Sequence, residues 1–450
     1  MASPTPLQLF QQIVSVSFLT ELCTRCEFRF RQGIYTPIVV VWLMICQRLQ
    51  GKRTLSTAVM LLLQGGASSV SSNCKRVRDD HISTRTGGYS HARKKLPKLV
   101  VAEVTDHILE QLRSRILEAS PGPQRPACLI DGSTLQLVHE PELVKAYPPG
   151  RNRHGSNHWP VLRIVVFHDA HTGLALRPSW GPMYGRKPVS EQALAEEALQ
   201  RLPADAVVLG DCNFGIFAFA YAVQQSRRHM ILRLTKARAQ KISGERLHPG
   251  SDTRVTWTPS RWERKKHPRL PPEAQVSGRL IVCENPARPD EELYLFTDLE
   301  LPVPEVMKIY GLRWNIETDL RSLKRTVGLH RLSSKDPDMM EKELLLAVSA
   351  YNLVRAVMCL AAETEGLKPR DLSFSLVQDV VQAALPGLGN AANQTEYRQR
   401  FERMLRIAAQ AKLPQRRHAR SYPREVWGRG SHFPPRKRKG RSGGHRRPQS

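Results

Sequence analysis

From about residue 127 the chain carries three strand-like runs in succession, ACLIDGSTLQLV, PVLRIVVFHDA and TGLALRPSW, separated by turn residues. Helix and strand then alternate. VSEQALAEEALQRL and FGIFAFAYAVQQ space their apolar residues as helices do, while AVVLGD and HMILRLT are short apolar strands. Adjacent strands followed by such alternation confine this part of the chain to a mixed α/β sheet. Residues 236 to about 300 turn polar, proline-rich and strand-like again, in TRVTWTP, GRLIVCE and ELYLFTDL. They read as a β-rich insertion.

The flanks have a different texture. Residues 1–118 read as an all-α domain, in which FLTELCTRCEFRFRQ, TPIVVVWLMICQRLQ and TLSTAVMLLLQ are punctuated by Pro37 and Gly51. KLPKLVVAEVTDHILEQLRSRILEA is a long amphipathic helix stopped by SPGP. Before it, GGYSHARKKLP is basic with one aromatic, and reads either as a DNA-contacting turn or as a solvated loop. Beyond residue 331, EKELLLAVSAYNLVRAVMCLAAE is a buried helix, and further helices run to about Lys412.

Charge narrows the partner. Lys and Arg total 68 against 41 Asp and Glu, a formal net charge of +27. That imbalance favours a polyanion, nucleic acid before an anionic membrane. The last 37 residues, 414–450, hold twelve Lys or Arg and one Glu, in RRHAR, PRKRKGR and GHRRP. Such a tail cannot bury a core and is expected to be disordered when free, binding phosphates without reading bases. The longest apolar run, Ile38 to Cys46, has nine residues, too few for a bilayer, and the N-terminus lacks the pattern of a secretory signal. Eight scattered cysteines, with Cys23 and Cys26 as a lone CxxC, read as reduced thiols of a cytosolic protein rather than a zinc site.

The chemistry concentrates in three places. Tyr310, Arg313, Glu317 and Lys324 sit in YGLRWNIETDLRSLK at offsets of zero, three, seven and fourteen. At about 100° per residue these project into a sector of about 60° on a helix, and Arg321 joins them. A carboxylate there can ligate a divalent metal while the cations hold phosphate oxygens. The other reading of this stripe is a solvated face with i,i+4 ion pairs. Asp131 lies in LIDGST and Asp211 in VVLGDCNFG, each carried by an apolar strand. Two strands and a helix could bring Asp131, Asp211 and Glu317 onto two divalent cations, for which Mg²⁺ suits an all-oxygen site. Taken singly, a strand-end Asp is as well explained as a cap or turn former, as Asp169 and Asp205 are.

On these residues the chain resembles DDE transposases of the insertion-sequence-four family, from bacterial mobile elements. DGSTLQLV around Asp131 and GDCNFG around Asp211 resemble the family's two Asp motifs, and Tyr310, Arg313, Glu317 and Lys324 match its Tyr-x2-Arg-x3-Glu-x6-Lys signature. RHGSNHWPVLRI and RSYPREVWGRG also look familial, whereas Cys212-Asn213 stands where members often carry Arg. The resemblance implies an RNase H-like fold with a β-rich insertion between the second Asp and the Glu. It implies metal ligation by Asp131, Asp211 and Glu317, with two Mg²⁺ per site (Mn²⁺ able to substitute). Tyr310, Arg313, Arg321 and Lys324 would contact DNA, and Trp257 or Trp262 would stack on a flipped base, unless both simply pack across strands. Implied too are terminal inverted repeats and target DNA as partners, a homodimer on paired ends, no small-molecule substrate, and cut-and-paste transposition. The rivals are an RNase H-like nuclease or resolvase without strand transfer, and a catalytically silent repressor.

Overall fold

A sheet of eight strands runs through the middle of the protein. Its strands are β1 (Ala127–Gln136), β2 (Val161–Asp169), β3 (Ser179–Pro182), β4 (Val207–Gly210), β5 (His229–Leu234), β6 (Asp252–Trp257), β7 (Val276–Asn285) and β8 (Arg288–Thr297), in the order β3-β2-β1-β4-β5-β8-β7-β6. The structure is a computed structural model and describes residues 6–50, 54–64, 74–79, 81–120, 122–123, 125–153, 155–285, 288–389 and 391–414. The basic tail read at Pro414–Ser450 lies, past Pro414, outside the described residues.

β1, β2 and β3 pair antiparallel, with the helix Pro141–Ala146 in the connection from β1 to β2, while helical crossovers bring β4 and β5 back parallel to β1. Central strands covered on both faces must be apolar throughout, and Ala127 to Ile130 and Val207 to Gly210 are buried without alternation. Three antiparallel strands followed by two parallel ones make the RNase H-like arrangement. The expected insertion is not a separate body. β8 pairs antiparallel with β5, β7 with β8, and β6 with β7, so these three strands extend the sheet on its far side. The third strand-like run is shorter than its sequence suggests. Pro178 cannot donate to a ladder, and TGLALRPSW splits into an isolated bridge at Ala175 and the short β3.

Helices surround this sheet: α1 (Pro37–Leu49), α2 (Gly87–Lys95), α3 (Lys98–Ala119), α4 (Glu191–Leu199), α5 (Val303–Gly311), α6 (Asn315–Arg321) and α7 (Pro337–Thr364). α7 is long and apolar enough to cross a membrane, yet most of it is buried here, against α1 and α3 from the first part of the chain and against Gln394–Gln410 from the last. The helices before residue 118 and those after 331 thus share one core, within the unit Met1–Lys412.

GGYSHARKKLP is neither turn nor loop but the helix α2. Its buried face carries two polar residues at i,i+4. Tyr89 Oη donates to Gln47 Oε1 at 2.7 Å and Arg93 Nη2 to Glu343 Oε1 at 2.8 Å. Lys342 Nζ caps its last turn at Lys94 O, 3.1 Å away. A face satisfied by polar partners far off in the sequence has no apolar period to announce it.

Candidate active site

β1 outruns its neighbour on one side. It pairs with β4 only from Ala127 to Leu129, then continues beside β2 alone as far as Gln136. Asp131 therefore stands where one edge of β1 is uncovered. Leu129 is in register with Leu209, and Asp131 and Asp211 each stand two residues further on. The two acids share one height on adjacent parallel strands, whose axes are about 4.8 Å apart. Past Asp211 the chain turns sharply, with Phe214 N and Gly215 N donating to Asp211 O at 3.1 and 3.0 Å, and Asn213 N to Asp211 Oδ1 at 2.9 Å. Gly215 is required there, because a Cβ would stand 2.1 Å from Arg233 O. Burial pushes the Asp131 carboxyl up to about 6, and the Asp211 and Glu191 carboxylates add to the shift, while a bond from Gly132 N (2.7 Å) and the Arg313 cation oppose it.

The Tyr-Arg-Glu-Lys run is one rod with uneven winding. α5 tightens into a 3₁₀ turn at Leu312–Trp314, resumes as α6, and loosens into a π turn at Ser322–Thr326. The uniform step per residue assumed for the stripe therefore does not hold, and π turns recur at functional sites. Its residues divide by depth. Tyr310 and Arg313 are buried (3% and 8% exposed), Lys324 is half-buried, and Glu317 and Arg321 are exposed. None of Arg313, Glu317, Arg321 and Lys324 makes an ion pair among the described residues, so the solvated, ion-paired face is not what forms.

Lys324 Nζ donates to Ser133 Oγ at 2.9 Å. Ser133 follows Asp131 by two on β1, and alternation puts the two on one face of the sheet. Lys324 thus docks beside the sheet acids, and burial lowers its pKa, with Arg325 next in effect. Among the described residues Tyr310 Oη is buried with no hydrogen-bond partner. Burial pushes its phenol up to about 12, against the Arg313 and Arg233 cations and with the Asp211 carboxylate. Arg313 Nε likewise lacks a partner, and its guanidinium lies 4.4 Å over the ring of exposed Trp314. Buried donors left open beside carboxylates are costly unless something fills them.

Glu317 is on the rod that packs against β1, yet among the described residues no three His, Cys, Asp or Glu side chains stand close enough together to hold one metal ion. The donor set itself is all carboxylate oxygen, the chemistry a hard divalent cation prefers.

Three contributors escaped sequence reasoning. Glu191, the first residue of α4, lays its carboxylate across Gly132 on the other face of β1, where a Cβ would meet its Oε1 at 1.4 Å. Arg233 approaches Tyr310 from β5. Asp319, two residues past Glu317, is fully buried. Arg370 grips it with two bonds of 2.9 Å, Arg355 Nη2 donates to its Oδ1, and His168 Nδ1 stands 4.0 Å off. The two tryptophans part company. Trp257 is 4% exposed, edge-to-face with Phe217 and Phe296, so it has no ring face to offer a base, and the cross-strand packing reading holds for it. Trp262 stands on the short helix Arg261–Lys266, 65% exposed, with Lys266 Nζ 5.0 Å from its ring.

A family model described as transposase DDE domain matches residues 122–353, a span that contains β1, β4 and the whole rod. The chain is also 30% identical over 325 residues, 70% of its own length and 70% of the relative's, to transposase InsG for insertion sequence element IS4 of Escherichia coli strain K12. The chain belongs to the DDE transposase family. It is a transposase of the IS4 type, an enzyme that cleaves and transposes DNA, and the RNase H-like sheet is that family's fold. DDE transposases act on DNA with divalent metal ions. In this transposase Asp131 and Asp211 each stand two residues beyond the Leu129–Leu209 pair, and Glu317 is exposed on the rod that packs against β1.

Proposed function

We infer that this transposase moves its element by cut-and-paste, and that Asp131, Asp211 and Glu317 hold two Mg²⁺ ions, with Mn²⁺ able to substitute. What supports this is one juxtaposition: Asp131 inside β1 and Asp211 just past β4 act on one another, each two residues beyond the Leu129–Leu209 pair, with Lys324 docked on Ser133 of the same strand as Asp131. When bound, the ions supply Lewis-acid activation of the attacking hydroxyl and charge neutralisation at the leaving oxygen. The chain's own residues do the rest. Lys324, Arg313 and Arg321 hold phosphate oxygens of the element end, and the Tyr310 hydroxyl, which has no protein partner, donates to the same strand. Glu317 completes the acid set from its exposed position. Trp262, the exposed one of the two tryptophans, stacks on a base displaced at the cut. The helices before residue 118 bind the terminal inverted repeats, a homodimer pairs two ends, and the work is done at the nucleoid in the bacterial cytoplasm.

Strand transfer separates this reading from a nuclease or a silent repressor. Purified protein with Mg²⁺ and a pre-cleaved duplex carrying the element's 3′-hydroxyl end is expected to join that end to a plasmid. Nicking without joined product would make it a nuclease, and neither product would leave only DNA binding.

A further inference from the structure

We propose that a groove beside α2 seats the sugar–phosphate backbone of duplex DNA, with Arg29, Arg31, His91 and Lys95 as its phosphate contacts. The proposal takes its partner from the transposase assignment, but the groove lies outside residues 122–353 and away from the metal-site acids.

The groove encloses about 490 Å³ between α2 and the segment that leads into α1. Arg29 and Arg31 stand on one wall, His91 and Lys95 on the other, all exposed, and no acidic side chain lines it. None of these four side chains has a hydrogen bond or ion pair among the described residues. The contrast with the inner face of α2 is direct, for there Arg93 and the neighbouring Arg48 both end on Glu343. Cations gathered without carboxylates repel one another, and an anion must supply what the protein withholds.

The walls are held rather than loose. Tyr89 and Arg93 anchor α2 to Gln47 and Glu343, so Ser90, His91, Lys94 and Lys95 face outward from a fixed helix. Tyr35, on the opposite wall, packs so closely that a Cβ on Gly88 would stand 3.0 Å from its ring. A binding surface fixed in advance loses less entropy when it fills. The aromatics decide the type of contact. Phe28 and Phe30 pack against the core and on each other, with centroids 6.2 Å apart, which leaves no open platform for unpaired bases. What remains is phosphate contact, which positions a duplex without reading it.

The test uses the full chain and a mixed-sequence duplex. The variant Arg29→Gln/Arg31→Gln/Lys95→Gln should keep the wild-type melting temperature, since these side chains are exposed. Its plot of log K against log salt should be shallower by roughly 2 to 3 units, at about 0.9 per lost contact. Arg29→Lys/Arg31→Lys should keep the wild-type slope, because a phosphate contact asks for charge alone. A Gln variant with the wild-type slope would overturn the proposal, and so would a Lys variant that loses it. Mg²⁺-dependent nicking by the wild type is the control. If wild type itself fails to nick, the transposase reading fails. If wild type nicks and the Gln slope is unchanged, only the groove fails.

Discussion

Glu317 and Asp319 stand two residues apart on α6 and are treated in opposite ways. Asp319 is wholly buried and closed off by Arg370, Arg355 and the neighbouring His168. Burial alone would raise its pKa, but Arg355 and Arg370 outweigh that and hold it below the usual carboxylate range. Glu317 is exposed and has no ion-pair partner among the described residues. Asp131, on the sheet that α6 covers, has no ion pair among the described residues either, and burial, with the Asp211 and Glu191 carboxylates adding, pushes its carboxyl up to about 6. The acid that holds the fold together is satisfied by protein. The acids assigned to chemistry accept at most a backbone N–H from the described residues and no cation.

The buried cluster also shows how the rod is held. Arg370 donates Nε to Ala170 O at 2.7 Å, and Arg355 Nε reaches Tyr351 Oη at 2.8 Å, whose proton goes to Gly173 O. One carboxylate thereby ties α6 to the end of β2 and to α7. His168 beside it stays neutral, since burial takes its pKa down to about 4.

The largest expected effect comes from the satisfied side of the comparison. Asp319→Ala leaves two buried guanidiniums without their counter-ion and should cost about 3–5 kcal/mol of stability. Urea unfolding measures it, and a loss under about 1 kcal/mol would mean the cluster is not a support. Next come Arg313→Ala and Lys324→Ala. Each removes a charge-assisted phosphate contact worth about 1.5–3 kcal/mol, and should weaken end binding or cleavage more than folding. Unchanged gel shifts and unchanged cleavage would return the stripe to an inert face.

The smallest effect is in pH dependence. The Asp131 carboxyl has a folded value near 6 against an ordinary 3.8. The native state therefore holds this proton longer than the unfolded chain, so stability is present below about pH 4 and declines as pH rises through 6. Without divalent metal, Asp131→Asn should melt higher than wild type at pH 7.5 and level with it at pH 4. An equal difference at both pH values would contradict a carboxyl raised by burial, with its neighbouring carboxylates adding to the shift.

What could be read from the sequence follows from how local the signal is. An acid inside one apolar run announced Asp131 and an acid at the end of another announced Asp211, because a buried strand and the acid that interrupts or ends it are both local facts. The spacing of Tyr310, Arg313, Glu317 and Lys324 announced a helix, but its 3₁₀ and π turns did not show, since they depend on what the rod packs against. Asp319 stands two residues from Glu317 in the same run, with nothing local to set the two apart. Its partners Arg355 and Arg370 lie 36 and 51 residues downstream, and no periodicity links them. The pairing of β8 with β5 was equally hidden, so strands that read as an insertion proved to continue the sheet. Trp257 and Trp262, five residues apart, could not be ranked until their depths were known.

The central claim is that the acids without an ion-pair partner among the described residues carry the chemistry. Mg²⁺-dependent nicking of an end-containing duplex tests it most directly, with wild type compared against Asp131→Ala, Asp211→Ala and Glu317→Ala at equal DNA occupancy. Each variant should fold and bind the duplex as wild type does, yet nick it slower by roughly 10²–10³-fold or more, the scale of losing one transition-state charge contact. A wild-type rate in any of the three would contradict the account for that residue, and a wild-type rate in Glu317→Ala would undo the contrast with Asp319 altogether.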